Sequence, residues 1–313
     1  MDVVNYVIKR ILQMIPVFIV VTVAIFFMIR LIPGDPAAVM LGSKASPEAV
    51  EMMREKMGLN EPILTQFGIF LKDLVHFDLG TSVKYNQSVT SLLKSKFLVT
   101  AALTLVSTVF TVLISFSLGY TAGMKKDKWQ DQVIRIFSLF GLSAPTFWIG
   151  LLLLTVFAVQ LGWLPVAGWG NTFLQHIRGL ILPGITQALG VSAVLIRNLR
   201  NNVIEIRESD YVEFAKSKGL SDSIISKRHI LRNAMIPVTT LLSLKIAYML
   251  GGSVVIESIF SLPGLGALLV NSIMARDYAV VQGVVLMFVV MVMLINLVTD
   301  IIYSILDPRV KLN

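Results

Sequence analysis

Residues 211–237 read YVEFAKSKGLSDSIISKRHILRNAMIP, a charged island between two long apolar segments. Tyr211 to Lys218 supplies about two helical turns, and Gly219 follows where a helix C-terminus favours the left-handed conformation that glycine adopts without steric cost. Ser221 or Asp222 can cap a second helix through Ile224, Ile225, His229 and Ile230. Lys227, Arg228 and Arg232 fall in its last turns, where cations suit the helix dipole. The spacing predicts helix, glycine, helix, which is the form of a docking element.

The rest of the chain explains why such an element is isolated. Of 313 residues, 55% are apolar and only 15% charged, and the mean hydropathy is +0.78. Soluble domains carry about 25% charged residues, so the composition predicts an integral membrane protein. The net charge of +8 comes from basic residues scattered between apolar runs rather than gathered on one face, which argues for loop topology and against nucleic-acid binding. The absence of cysteine excludes disulfides, thiolate metal sites and cysteine nucleophiles.

Working outward, Ile11 to Ile29 carries no charge and follows Lys9-Arg10; its length and the lack of a small-residue cleavage site favour a first transmembrane helix over a signal peptide. Pro33 to Lys96 is too polar to cross a bilayer. Within it, Ser46-Pro47-Glu48 predicts a helix that stops at Gly58, and Pro62 starts another. The second span is Phe97 to Met124, with Gly119 and Gly123 spaced for close helix approach. Ile136 to Ile177 lacks Asp, Glu, Lys and Arg and is too long for one helix; Pro165, Gly168 and Gly170, beside Trp163 and Trp169, divide it into a third span near Ile136–Leu161 and an outer loop. A fourth span runs from Gly179 toward Val203, a fifth from about Pro237 to Phe260, and a sixth from about Ala279 to Leu306.

Loop charge sets the expected orientation. With the N-terminus inside, Lys125, Lys126, Lys128, Arg135, Arg197, Arg200, Arg207 and the basic residues of 211–237 lie inside with Lys9, Arg10, Arg309 and Lys311, against Arg178 and Arg276 in the short outer loops. The expected organisation is a cytoplasmic N-terminus and first span (1–32), an extracytoplasmic domain (33–96), a five-helix core (97–306) with a cytoplasmic loop at 205–236, and a cytoplasmic tail (307–313).

Glu213, Phe214 and Ala215, then Gly219, Ile230 and Pro237, resemble the coupling loop of permease subunits of ABC importers, most closely the peptide and nickel branch. The family pattern has two alanines after its glutamate and ends in Leu-Pro, where this chain has Phe214 and Ile236-Pro237. Gly58-Leu59-Asn60-Glu61-Pro62, Phe77-Asp78-Leu79-Gly80-Thr81-Ser82, and the stretch holding Glu257, Phe260, Pro263, Gly264 and Gly266 are similar to the same family. The resemblance implies an all-α, six-span permease of the type I kind in a prokaryotic cytoplasmic membrane. It implies that Glu213, Ala215, Gly219, Ile230 and Pro237 couple to an ATP-binding subunit. It also places Glu257, Phe260, Pro263, Gly264 and Gly266 at an outer gate. The implied partners are a second, similar permease, two ATP-binding subunits that carry ATP and Mg, an extracytoplasmic solute-binding protein, and membrane lipid.

The residues themselves argue against catalysis in this chain. There is no GxxxxGK[ST] loop and no HExxH, and Gly141-Leu142-Ser143-Ala144-Pro145 misses the GxSxG pattern at its last residue. No cofactor and no catalytic or metal residue is expected. Lys245, Glu257 and Asp300 fall in or near spans, where ionisable groups face a bundle interior or a wet cavity. Lys245 can snorkel, Asp300 can hold a structural partner, and Glu257 can serve a gate or an ion pair with Lys245 or Arg276. His76, His176 and His229 all fall outside membrane depth, so the chain offers no nickel cage, and short peptides are the expected cargo, with nickel or a metal chelate as the alternative. From another class, an ion-coupled secondary transporter would want inverted repeats and more midplane carboxylates, and an intramembrane enzyme would want a nucleophile and base set.

Overall fold

In the computed structural model, which describes residues 3–31, 35–42 and 45–306, the chain is almost wholly helical. The boundary at 32–34 and the expected tail at 307–313 lie outside the described residues. α1 (Val3–Arg30) is followed by α2 (Pro36–Leu41), α3 (Pro47–Lys56) and α4 (Ile63–Val75). Ser46 Oγ accepts the Ala49 amide and Pro47 opens α3, as the sequence predicts, and Gly58 at φ +64° follows its end. α5 (Val89–Met124) begins eight residues before the expected Phe97, after an isolated bridge between Thr81 and Ser88.

The third span departs from expectation. It is not one helix over Ile136–Leu161 but two: α6 (Trp129–Ser143), then α7 (Thr146–Leu153) with a π-helical turn at Leu154–Gln160, meeting at 107°. The cause is Pro145. A residue before proline is pushed out of the helical region, and Ala144 is extended at φ −76°, ψ 131°.

α8 (Phe173–Arg207) also starts earlier than Gly179, because Thr172 and Gln175 form a capping box. α9 (Asp210–Ser217) is followed by α10 (Asp222–Ile224), which passes through a π-helical segment, Ile225–Leu231, directly into α11 (Arg232–Ile259). The helix that carries the fifth span therefore begins before Pro237, which lies inside α11. Lys227, Arg228 and Arg232 consequently stand mid-helix and not at a C-terminus. Ser221 occupies the N-cap position but its side chain makes no capping bond. α12 (Leu265–Met274) and α13 (Tyr278–Leu306) complete the described chain. Among the described residues, five helices are long and apolar enough to cross a membrane, or six if the bent pair is one span.

Two compact units result. The first centres on Ala101–Leu262. Its core joins Leu195, Leu199 and Val203 of α8 to Val212 and Ala215 of α9, to Ile225 and Ile230, and to Ala234, Val238 and Met249 of α11. α5 approaches α8 closely at the two glycines expected to permit it: a Cβ on Gly119 would lie 3.0 Å from Leu199 Cβ, and one on Gly123 would lie 2.6 Å from Val203 Cβ.

The second unit joins Val7–Thr100 to Pro263–Met293. Here α4 packs on α1: the Phe26 ring lies 5.0 Å from Phe67 and 5.5 Å from Phe70, and Arg30 covers Phe26 while donating to Gln66 Oε1 at 2.9 and 3.1 Å. The start of α5 packs on α13, where a Cβ on Gly283 would lie 2.6 Å from Val89 Cγ1.

Candidate functional site

Within the 211–237 island, the bend expected at Gly219 is present. α9 ends in a Schellman turn: the Gly219 amide donates to Lys216 O at 2.8 Å and the Leu220 amide to Ala215 O at 3.3 Å, with Gly219 at φ +78°. One face of α9 is sunk into the core through Val212 and Ala215, and Ile225 and Ile230 of the following segment join the same cluster. The other face is open, with Phe214 61% exposed beside Tyr211 and Glu213. Of the residues singled out for coupling, Ala215 and Ile230 thus anchor the loop from behind, Glu213 lies on its free face, Gly219 sets its bend, and Pro237 is exposed on α11.

Three polar contacts brace this end of the unit. The Tyr120 hydroxyl hydrogen-bonds Ser226 Oγ, Arg207 donates to Met124 O at 2.9 Å, and Lys126 pairs with Glu208 at 2.7 Å. The Lys126 hydrogen bond holds the Glu208 carboxyl below its ordinary range.

The expected outer-gate residues divide between the two units. In the first, Glu257 and Phe260 are buried on the face of α11 that also buries Met249, Leu250, Ser253 and Ile256. A second Schellman turn closes α11, with the Leu262 amide on Glu257 O at 2.8 Å and Ser261 left-handed at φ +50°. Phe260 O accepts the Gly168 amide at 3.1 Å, which ties the loop after the bent pair to this turn. In the second unit, Gly264 and Gly266 are buried, Pro263 is half-buried, and Thr100 Oγ1 accepts the Leu265 amide at 2.8 Å as α12 begins.

Comparison with known proteins assigns the whole chain to a family. Residues 115–312 match the model for the binding-protein-dependent transport system inner membrane component, and residues 3–104 match the N-terminal model of the same transport system component. The chain belongs to that family. It is 38% identical to the glutathione transport system permease protein GsiC of Escherichia coli K12 and of Salmonella typhi, over 98% of this chain and 99% of each relative. Among solved structures, the permease shares its fold with an inward-facing MetNI methionine ABC transporter (TM-score 0.58, 17% identity, 69% of this chain and 96% of that one). An amino acid ABC transporter is similar at TM-score 0.52 and 18% identity, over 69% of this chain and 94% of that one. The chain is a multi-pass membrane permease subunit of an ABC importer.

The permease holds three polar features that sequence reasoning missed. Asp131 of α6, fully buried, takes two hydrogen bonds of 2.6 Å from Arg200 of α8 and a third from the Asp127 amide. Arg200 was expected as a simple loop cation. Asp277, also buried, caps α13 and accepts Ser82 Oγ at 2.5 Å and the Lys84 amide at 3.2 Å, while Lys84 Nζ donates to Asn271 O. Gln187 of α8 bridges two neighbours, accepting Ser107 Oγ at 2.8 Å and donating to Met249 O at 2.6 Å. Each joins residues more than sixty positions apart, and the only local hint was a polar residue inside or beside an apolar run.

Proposed function

We propose that this permease forms one half of the translocation channel of a peptide importer. It sits in a prokaryotic cytoplasmic membrane with both termini inside and 33–96 outside. A second permease of the same kind, two ATP-binding subunits and an extracytoplasmic solute-binding protein complete the assembly, and ATP and Mg reside on the partners. The observation that carries the reading is the two-faced α9: Val212 and Ala215 fix it to the core, so that its open face of Tyr211, Glu213 and Phe214 is presented rigidly to a partner. A rigid projection transmits a push, and closure of two ATP-binding subunits supplies one. The cargo assignment follows the relatives, whose named substrate, glutathione, is a tripeptide. Glu257 and Phe260, held at the closed end of α11, are placed in the outer gate on this reading.

The test is reconstitution. Mass spectrometry of what co-purifies with the chain should find an ATP-binding subunit and a second permease, and the assembly in proteoliposomes should import short peptides only with ATP. Gradient-driven uptake by this chain alone, or import of free nickel without peptide, overturns the proposal.

A further inference from the structure

The corner at Pro145 opens a cavity of about 410 Å³ within the first unit, inside the ~300–1,000 Å³ range of small-molecule sites. Gln187 and Gly190 of α8 line it one turn apart, Lys245, Tyr248 and Gly252 of α11 recur at helical spacing, and Thr146 comes from the corner. The two glycines leave backbone bare on the walls. Gln187 is committed to Ser107 and Met249, and among the described lining residues Lys245 is the charged one.

Lys245 is half-buried, and its Nζ lies 5.7 Å from the centre of the Tyr248 ring. Among the described residues no carboxylate pairs with it. It stands near the middle of α11, thirteen residues past Arg232 and fourteen before Ile259. A cation within an apolar membrane helix calls for an anion or water in a cavity.

We infer that the cavity takes the C-terminal carboxylate of a peptide in transit, with Lys245 as its counter-charge; this rests on the peptide reading above. Among peptides of varied sequence, that carboxylate is the anion all of them share. One cation over an aromatic ring, with no clamp of several donors, gives a contact firm enough to enter and weak enough to leave.

The test uses the reconstituted complex, its solute-binding protein, and trialanine. Lys245→Met should lower trialanine uptake about tenfold or more, the worth of one charge-assisted hydrogen bond, while ATPase stimulation by loaded binding protein persists. Lys245→Arg should keep most of the uptake. Because the chain has no cysteine, Lys245→Cys can be modified at one place in it: an aminoethyl thiosulfonate should restore uptake and a sulfonatoethyl one should not, with the wild-type complex controlling for partner cysteines. Wild-type uptake by Lys245→Met, or equal rescue by both reagents, overturns the inference. A wild-type complex that imports no trialanine instead overturns the peptide reading and the inference with it. Should Lys245→Met fail to assemble, modification of assembled Lys245→Cys complex decides.

Discussion

Gly219→Val isolates a backbone effect from a packing one. A Cβ at Gly219 would meet nothing within 4 Å, so no clash contributes. The residue nevertheless sits at φ +78°, where an L side chain costs about 1–2 kcal/mol. The chain can relieve that strain by moving Gly219 to negative φ, which breaks the two Schellman hydrogen bonds to Lys216 O and Ala215 O and redirects Leu220 and Ser221. With about 1.4 kcal/mol per tenfold, the loop shifts toward the displaced form by roughly a factor of ten, while the core behind it, built from Leu195, Leu199, Val203 and Met249, is untouched. Assembly and thermal stability should therefore stay near wild type and ATP-driven uptake should fall. Asparagine tolerates the left-handed region, so the expected order of uptake is Gly, Asn, Ala, Val. The assay is peptide uptake and binding-protein-stimulated ATPase of the reconstituted complex. An assembled Gly219→Val complex that imports at the wild-type rate would refute the role of this loop.

Arg200→Met strands the fully buried Asp131 carboxylate and should cost roughly 3–5 kcal/mol; adding Asp131→Asn should recover much of it, and the melting temperature of the purified complex reads both. If the double variant melts no higher than Arg200→Met alone, the pair is not what holds α6 to α8. For topology, impermeant thiol reagent applied to sealed cells should reach Gln87→Cys and Asn271→Cys, both exposed, but not Ser221→Cys. Labelling at position 221 would reverse the proposed orientation.

Local punctuation was legible and long-range pairing was not. Gly219, Gly58 and Ser46-Pro47 act within one turn of chain, so helix ends at those places follow from residue type. Hydropathy located the spans, yet it concealed the break at Ala144-Pro145, because a proline inside an apolar run changes direction without changing polarity. It also gave no sign that the helix of the fifth span starts before Pro237, as a continuation of the preceding segment. Asp131 with Arg200, Ser82 with Asp277, and Ser107 with Gln187 are separated by 69, 195 and 80 residues, so nothing within a sequence window connects them. Lys245 stood out as an ionisable residue in a span, but its cavity exists only because α6 and α7 diverge.

That continuity from α10 into α11 bears on how force is carried. Asp222–Ile259 is one helical stretch of 38 residues, about 57 Å at 1.5 Å per residue. It begins just past Gly219, passes Lys245 on the cavity wall, and ends at Glu257 and Phe260 beneath the second Schellman turn. A displacement applied at α9 would reach the start of this helix through the Gly219–Ser221 turn and the packing of Val212 and Ala215 on Ile225 and Ile230, and from there the backbone hydrogen bonds of one helix run to the cavity and to the end of α11. Compliance is concentrated near the origin, in the π-helical segment Ile225–Leu231 and at Pro237, which lacks an amide to donate. On the proposed reading, soft turns beside the loop and an unbroken helix beyond them would let α9 rotate with an ATP-binding partner while Lys245 and Glu257 move together.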